Sequence, residues 1–349
     1  MRRWIRGMAA ATLAAAAAAD VTVKRVATTD GLGGAVTVQT TEDLKGTDRR
    51  SDSTSTFANG LMNKMAGGLR SQIVHVADDQ VLDLNPAKKT YRQGTISEMG
   101  RKMEKARSSS GRGKDVKPTY RITRSSIKVD STGEKKTVNG FPCQRVRLTM
   151  IMEVENIETH EKSEMRLVSD NWNAPETGAF KALREADAEF GKAFAKKMGL
   201  DLSAQEADPW GVGMAAMMGL SGDEVKAKAG EMKKELAKMK GVPVVTDIAW
   251  YSKREGAAQP KGTPPAAKAD EDAGAPNLSG GAGGFAAGLA ARMMKNKMQA
   301  SADKSRASSE ARASGEEPLF KSRIEIKEVK TGSVDDSRFQ VPAGYKLEK

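Results

Sequence analysis

Cysteine occurs once, as Cys143, so no intramolecular disulfide can form and the fold must rely on its own core. Histidine occurs twice, His75 in an alternating run and His160 in ENIETHEKSE, and neither has a second histidine at the spacing of a metal-binding helix. GLGGAV and GGAGGFAAG do not match a dinucleotide fingerprint, and no glycine-rich loop ends in the Gly-Lys-Ser/Thr of a phosphate-binding loop. Cys143, at the start of a strand-like run, reads as a small core residue rather than a nucleophile. The carboxylate pairs Glu316–Glu317 and Asp335–Asp336 lie in linker or turn contexts. The chain therefore reads as non-catalytic, and nothing in it calls for a cofactor or a metal ion.

Aromatic residues make up only 5% of the 349, few for a core of this size, and 18 methionines take over part of that role. A methionine fills irregular gaps and also adapts to ligands of varied shape. The Ala-rich run Met8–Ala19 has twelve residues, against the roughly 20 a helix needs to span a bilayer. Preceded by Arg2, Arg3 and Arg6 and followed by Asp20, it has the layout of a secretory signal peptide over residues 1–19. Cleavage is expected after Ala19, and the product is expected in the periplasm.

The formal charge of +12 falls to +9 without those three arginines. Between Arg92 and Lys128 eleven basic residues face three acidic ones, a local excess of +8. Arg101, Lys102, Lys105, Arg107, Arg112, Lys114 and Lys117 form its centre. Such a patch suits an anionic membrane surface or an acidic envelope partner. Nucleic acid is not expected, because Tyr120 is almost the only aromatic residue among these charges.

From Asp20 to Asn173 the dominant pattern is alternation between turn residues. VTVKRVA and AVTVQTTEDL flank DGLGG, Asn85-Pro86 marks a turn, and Asn139-Gly140 is a hairpin signal because both residues tolerate positive φ. A further turn is expected over Ser131–Glu134. In CQRVRLTMIMEV, Val146, Leu148, Met150, Met152 and Val154 fall on one face and Arg145, Arg147 and Thr149 on the other, as in an antiparallel sheet with one wet side.

Residues 175–240 are expected to cover the apolar side. Phe180, Leu183, Phe190, Phe194 and Met198 recur at helical spacing, and a second helix is expected from Ser221, with Val225, Met232, Leu236 and Met239 on one face. Strand alternation returns with Val244, Thr246, Ile248 and Trp250. Residues 253–318 are rich in Ala, Gly, Pro and Ser and read as a disordered linker or insertion, with a transiently helical island around Phe285. Ile324 and Ile326 then mark a strand. Phe339 and Val341, stopped by Pro342, are expected to form the closing one.

The fold class expected is α+β: a curved antiparallel sheet, an incomplete β-barrel, covered by helices, with the insertion before the last strands. The domain comprises residues 20–252 and 319–349. DLNPAKKTYRQ, VNGFPCQRVRLTM, the strand leading to Trp172, GVPVVTDIAWYS and the terminal FQVPAGYK, in that order, resemble an uncharacterised family of bacterial exported proteins whose fold is like that of the periplasmic lipoprotein carrier. The resemblance spans roughly residues 20–175, 241–252 and 320–346. It implies a half-barrel whose inner apolar face holds acyl chains, and a lipid or lipidated protein as partner. On that expectation the ligand face comprises Val146, Leu148, Met150, Met152, Met165, Leu167, Ile248 and Trp250, beneath Phe190 and Phe194. The competing reading is a closed core in an envelope protein that acts through its basic surface.

Overall fold

The computed structural model describes residues 19–31, 34–109, 120–199, 234–254 and 317–348. The signal-like run, the helix expected from Ser221 up to residue 233, the island around Phe285 and almost all of the expected insertion lie outside these residues; the end of that expected helix, with Leu236 and Met239, is described, and residues 234–236 are helical.

Twelve strands form one unclosed sheet, antiparallel except at one edge. They are β1 (Val21–Gly31), β2 (Val36–Lys45), β3 (Asp48–Phe57), β4 (Gly68–His75), β5 (Gln80–Asn85), β6 (Thr90–Gly94), β7 (Tyr120–Val138), β8 (Phe141–Asn156), β9 (Lys162–Ala174), β10 (Val242–Arg254), β11 (Phe320–Thr331) and β12 (Lys346–Leu347). The order across the sheet is β12-β6-β5-β4-β3-β2-β1-β11-β10-β9-β8-β7. Two runs of neighbouring strands, β1 to β6 and β7 to β10, thus meet only through β11. Val21 pairs with Thr331 on one side of that strand, and Trp250 pairs with Phe320 on the other.

Few helices accompany the sheet: α1 (Gly60–Ala66), α2 (Ile96–Ser109) and α3 (Ala179–Lys197), with a 3-10 turn at Asp336–Phe339. Helix α3 buries Phe180, Leu183, Ala186 and Phe190, the three-and-four spacing read from the sequence. Its partners are strand ends: Val21 and Val23 of β1, Leu44 of β2, Val74 of β4, Val81 of β5, Cys143 of β8, Ala174 of β9 and Val244 of β10. Strands from both halves converge on one helix, so the sheet curls around it. The Asn139 side chain, at the β7–β8 turn, also donates to the Ile326 carbonyl of β11 at 2.8 Å, although three strand spacings would separate them in a flat sheet. The face toward α3 is the inner face.

The Asn139-Gly140 turn has φ values of 50° and 84°, the left-handed pair expected of a two-residue hairpin. Residues 131–134, expected to turn, instead form an irregularity inside the continuous strand β7: the register slips between Ser131 and Lys135, with Gly133 at φ 77°. Helix α2, unanticipated within the basic stretch, starts where the Thr95 hydroxyl accepts from the Glu98 amide at 3.1 Å. It lies so close to the end of α3 that a Cβ on Gly100 would fall 2.2 Å from the Met198 carbonyl oxygen.

The C-terminal segment corrects the expectation of a closing strand. Phe339 ends the 3-10 turn, Val341 lies outside any strand, and both pack with Ile73, Leu82 and Leu84 on the outer face of the sheet. Arg338 donates to Asp43 at 2.7 Å and to Asp52 at 2.8 Å, and Lys45 donates to the Val334 carbonyl at 3.0 Å. The tail then adds β12, two residues long and parallel to β6, against that edge of the sheet. The segment is a strap across the back of β2 to β5.

Candidate functional site

Register places every inner-face side chain. Leu148 lies opposite Val129 and Ser169, Ser169 opposite Ile248, Ile248 opposite Ser322, Ser322 opposite Thr29, and Thr29 opposite Val36. One row therefore runs from β7 to β2, and neighbouring rows follow two residues away on each strand.

In the β7–β11 half the inner face carries an apolar cluster beside buried Ser169, Asn171, Thr246 and Ser322. Val129, Val146, Leu148, Met150, Leu167, Trp250 and Phe320 form a cluster, with Ile127, Ile248, Leu236 and Met239 packed against it. Six of the expected ligand-face residues, Val146, Leu148, Met150, Leu167, Ile248 and Trp250, are thus brought together. Met152 is buried beside half-buried Met165, its partner across β8 and β9. Phe190 and Phe194 stack with centroids 5.6 Å apart, but they belong to the separate cluster around α3. Among the described residues, Leu236 and Met239, just before β10, pack on Leu148 and its neighbours. Glu235, beside them, accepts from the Val129 amide of edge strand β7 at 3.1 Å.

The second cluster is joined to the sheet by buried charge, which the sequence reading missed. Arg25 and Arg49 point from β1 and β3 toward α3, where Asp187 pairs with Arg49 and lies 3.7 Å from Arg25. Glu42 completes the set by pairing with Arg25. The Arg49 guanidinium stacks 4.2 Å above the Phe190 ring. Burial pulls both guanidiniums below their ordinary pKa, while the nearby Asp187 charge acts in the opposite sense.

Between these regions the floor is hydroxylated. Ser51, Ser53 and Ser55 of β3 and Thr40 of β2 are half-buried, and the Thr40 and Ser53 hydroxyls lie 3.1 Å apart. Thr29 and Ser322 are buried as a pair at 3.4 Å. Beside Ser51, Gln72 is 3% exposed; its amide nitrogen donates to Asp83 at 2.8 Å while its oxygen is buried without a partner. Asn173 is similar, donating to the Lys240 carbonyl at 2.9 Å with its oxygen unpartnered.

The outer face is a lattice of ion pairs. Asp170 accepts from Arg145 at 3.1 Å and from Arg147 at 2.9 and 3.0 Å. Burial alone would raise the Asp170 pKa, but the hydrogen bonds from Arg147 and Arg145 outweigh it and hold the group below the usual carboxylate value. Burial likewise opposes ionisation of Asp52, and hydrogen bonds from Ser71, Arg338 and Arg50, with the Arg50 charge, prevail. Stability from such groups is present above the unfolded carboxyl value of about 3.9 and is lost as pH falls through the lower folded values. The thermal midpoint is therefore expected to drop progressively below about pH 4, and Asp170→Asn to flatten the fall. An acid limb of unchanged steepness in that variant would contradict the assignment.

Of the basic stretch, Arg101, Lys102 and Lys105 are exposed on α2, Lys102 pairing with Glu98 at 3.0 Å. Arg107 falls in the last turns of the same helix. Arg112, Lys114 and Lys117 lie outside the described residues. Among the described residues no three His, Cys, Asp or Glu side chains are grouped to hold a metal ion, and no helix is long and apolar enough to cross a membrane. Comparison with family models, with curated proteins and with solved structures finds no match.

Proposed function

We propose that the protein is a non-catalytic carrier or binding protein of the periplasm, and that the apolar half of its inner sheet face receives an acyl chain or a similar apolar group. One observation carries the reading: the inner face bears two apolar clusters, and α3 belongs to only one of them. The other is met by Leu236 and Met239, two side chains of a segment whose described part begins at residue 234. Apolar contacts of that kind are displaced at lower cost than buried ion pairs. Met150 and Met152 add the adaptability that ligands of varied length require.

Burying a twelve-carbon chain is worth about 10 kcal/mol at roughly 0.8 per methylene. The costs of association would leave an affinity of about micromolar, which suits reversible transport. Native mass spectrometry of protein taken from its own envelope is expected to show a bound lipid mass. Ile248→Glu should remove it, because Ile248 is only half-buried and the charge would face the chain without emptying the core. Leu148→Ala, at a fully buried position, should instead cost about 2–5 kcal/mol of stability. A bare mass for the unaltered protein would overturn the carrier reading. It would favour the closed-core alternative, in which the exposed Arg101, Lys102 and Lys105 of α2 meet an acidic envelope partner.

A further inference from the structure

The hydroxylated floor has no role in holding an acyl chain, and its chemistry is specific. On a half-buried inner face that only had to pack, β3 would present branched apolar side chains, as β8 does and as β2 does with the buried Val36 and Val38. Instead Thr40, Ser51 and Ser53 line it, small enough to leave room and able both to donate and to accept hydrogen bonds. A second, independent observation beside this floor asks for a hydrogen-bond donor. The buried amide oxygen of Gln72, opposite Ser51, has no partner, and such an atom costs free energy until a donor reaches it.

We propose that this floor is the head-group subsite of the ligand site, and that it takes a neutral, hydroxyl-rich head group such as a sugar or other polyol. The proposal rests on the carrier reading and adds the class of amphiphile carried. A carboxylate or phosphate head group brings acceptors and no proton for Gln72. An ammonium brings donors, but also a charge, while the buried ions Arg25, Glu42, Arg49 and Asp187 are already paired among themselves and the Asp83 carboxylate accepts from the Gln72 amide at 2.8 Å. A polyol brings donors without charge. The geometry connects the two subsites: Thr40 on β2 and Ile248 on β10 share one inner face, three strands apart and, because the row of Ile248 meets β2 at Val36, four residues apart along the strand, about 20 Å at the usual spacings. An amphiphile lying obliquely across the strands would place its chain on the apolar cluster and its head group over Thr40 and Ser53.

The test compares three ten-carbon probes below their micelle concentrations: decyl maltoside, decanoate and decylammonium, titrated calorimetrically into the intact protein. Decyl maltoside is expected to bind at least about tenfold more tightly than the other two, the effect of roughly one well-made hydrogen bond. In the shape-conserving variant Thr40→Val/Ser53→Ala, and separately in Gln72→Met, that preference should shrink about tenfold while decanoate affinity stays as it was. Equal affinity for all three probes would overturn the head-group assignment and leave the acyl-chain reading standing. No binding of any probe would remove both. The comparison on the unaltered protein decides the matter even if a variant fails to fold.

Discussion

Removal of residues 332–349 is expected to leave a chain that does not fold stably. The strap covers Ile73, Leu82 and Leu84, which are 0%, 5% and 3% exposed, and contributes Val334 and Phe339 to the same cluster. Three large apolar side chains returned to water cost about 1.5–3 kcal/mol each. Arg338 is lost as well, leaving Asp43 and Asp52 without its charge-assisted bonds, at about 1.5–3 kcal/mol for hydrogen bonds of that kind. The sum approaches the whole stability of a typical domain, about 5–15 kcal/mol. Urea denaturation and hydrogen exchange of the truncated chain would show it. A truncated protein that stays monomeric and melts within a few degrees of the full chain would mean that the strap is dispensable.

Asp187→Ala is expected to cost about 3–5 kcal/mol, because it leaves the Arg49 guanidinium, 2% exposed, buried without its carboxylate partner. Arg25 is less affected, since Glu42 remains beside it. The double variant Arg49→Met/Asp187→Met should recover most of that loss, as an apolar pair of similar volume needs no counter-charge. Denaturant midpoints for Arg49→Met, Asp187→Met and the double form the cycle that isolates the coupling. If the losses of the single variants simply add, α3 is held by its apolar face alone.

How far these features could be read from the chain depends on where their causes lie. The alternation of Val146, Leu148, Met150 and Met152 is local, and so is the pair Asn139-Gly140; both led to the right elements. Strand β3 escaped because DRRSDSTSTF has no apolar alternation. Its inner residues Arg49, Ser51 and Ser53 form an ionic contact and a polar floor, while Arg50 and Asp52 on the other side join the outer lattice. Residues Ile96–Ser109 were read as a patch of charge because lysine and arginine mask the spacing of Ile96 and Met99, the two side chains that α2 turns toward the core. Phe339 and Val341 alternate as a strand would, yet they dock onto a surface already made by β4 and β5, which local periodicity cannot show. The separation of Phe190 and Phe194 from the Leu148 cluster is also tertiary: it follows from Asp187 meeting arginines on β1 and β3, more than 130 positions earlier in the chain.

The place of β11 between β1 and β10 has a consequence for the order of events during synthesis. Strand β1 is complete at Gly31, but one of its two edges has no neighbour until residues 320–331 are made, some 300 positions later. At about 5–20 residues per second the ribosome takes roughly 15–60 s to cover that distance. In the last part of that interval, once β10 is complete at Arg254, the nascent chain holds two open arrays, each with an unmatched rim of amide and carbonyl groups that could pair with the wrong neighbour. A chain built this way gains from being kept unfolded until its last fifty residues emerge, and β11 acts as the keystone whose arrival turns two arrays into one.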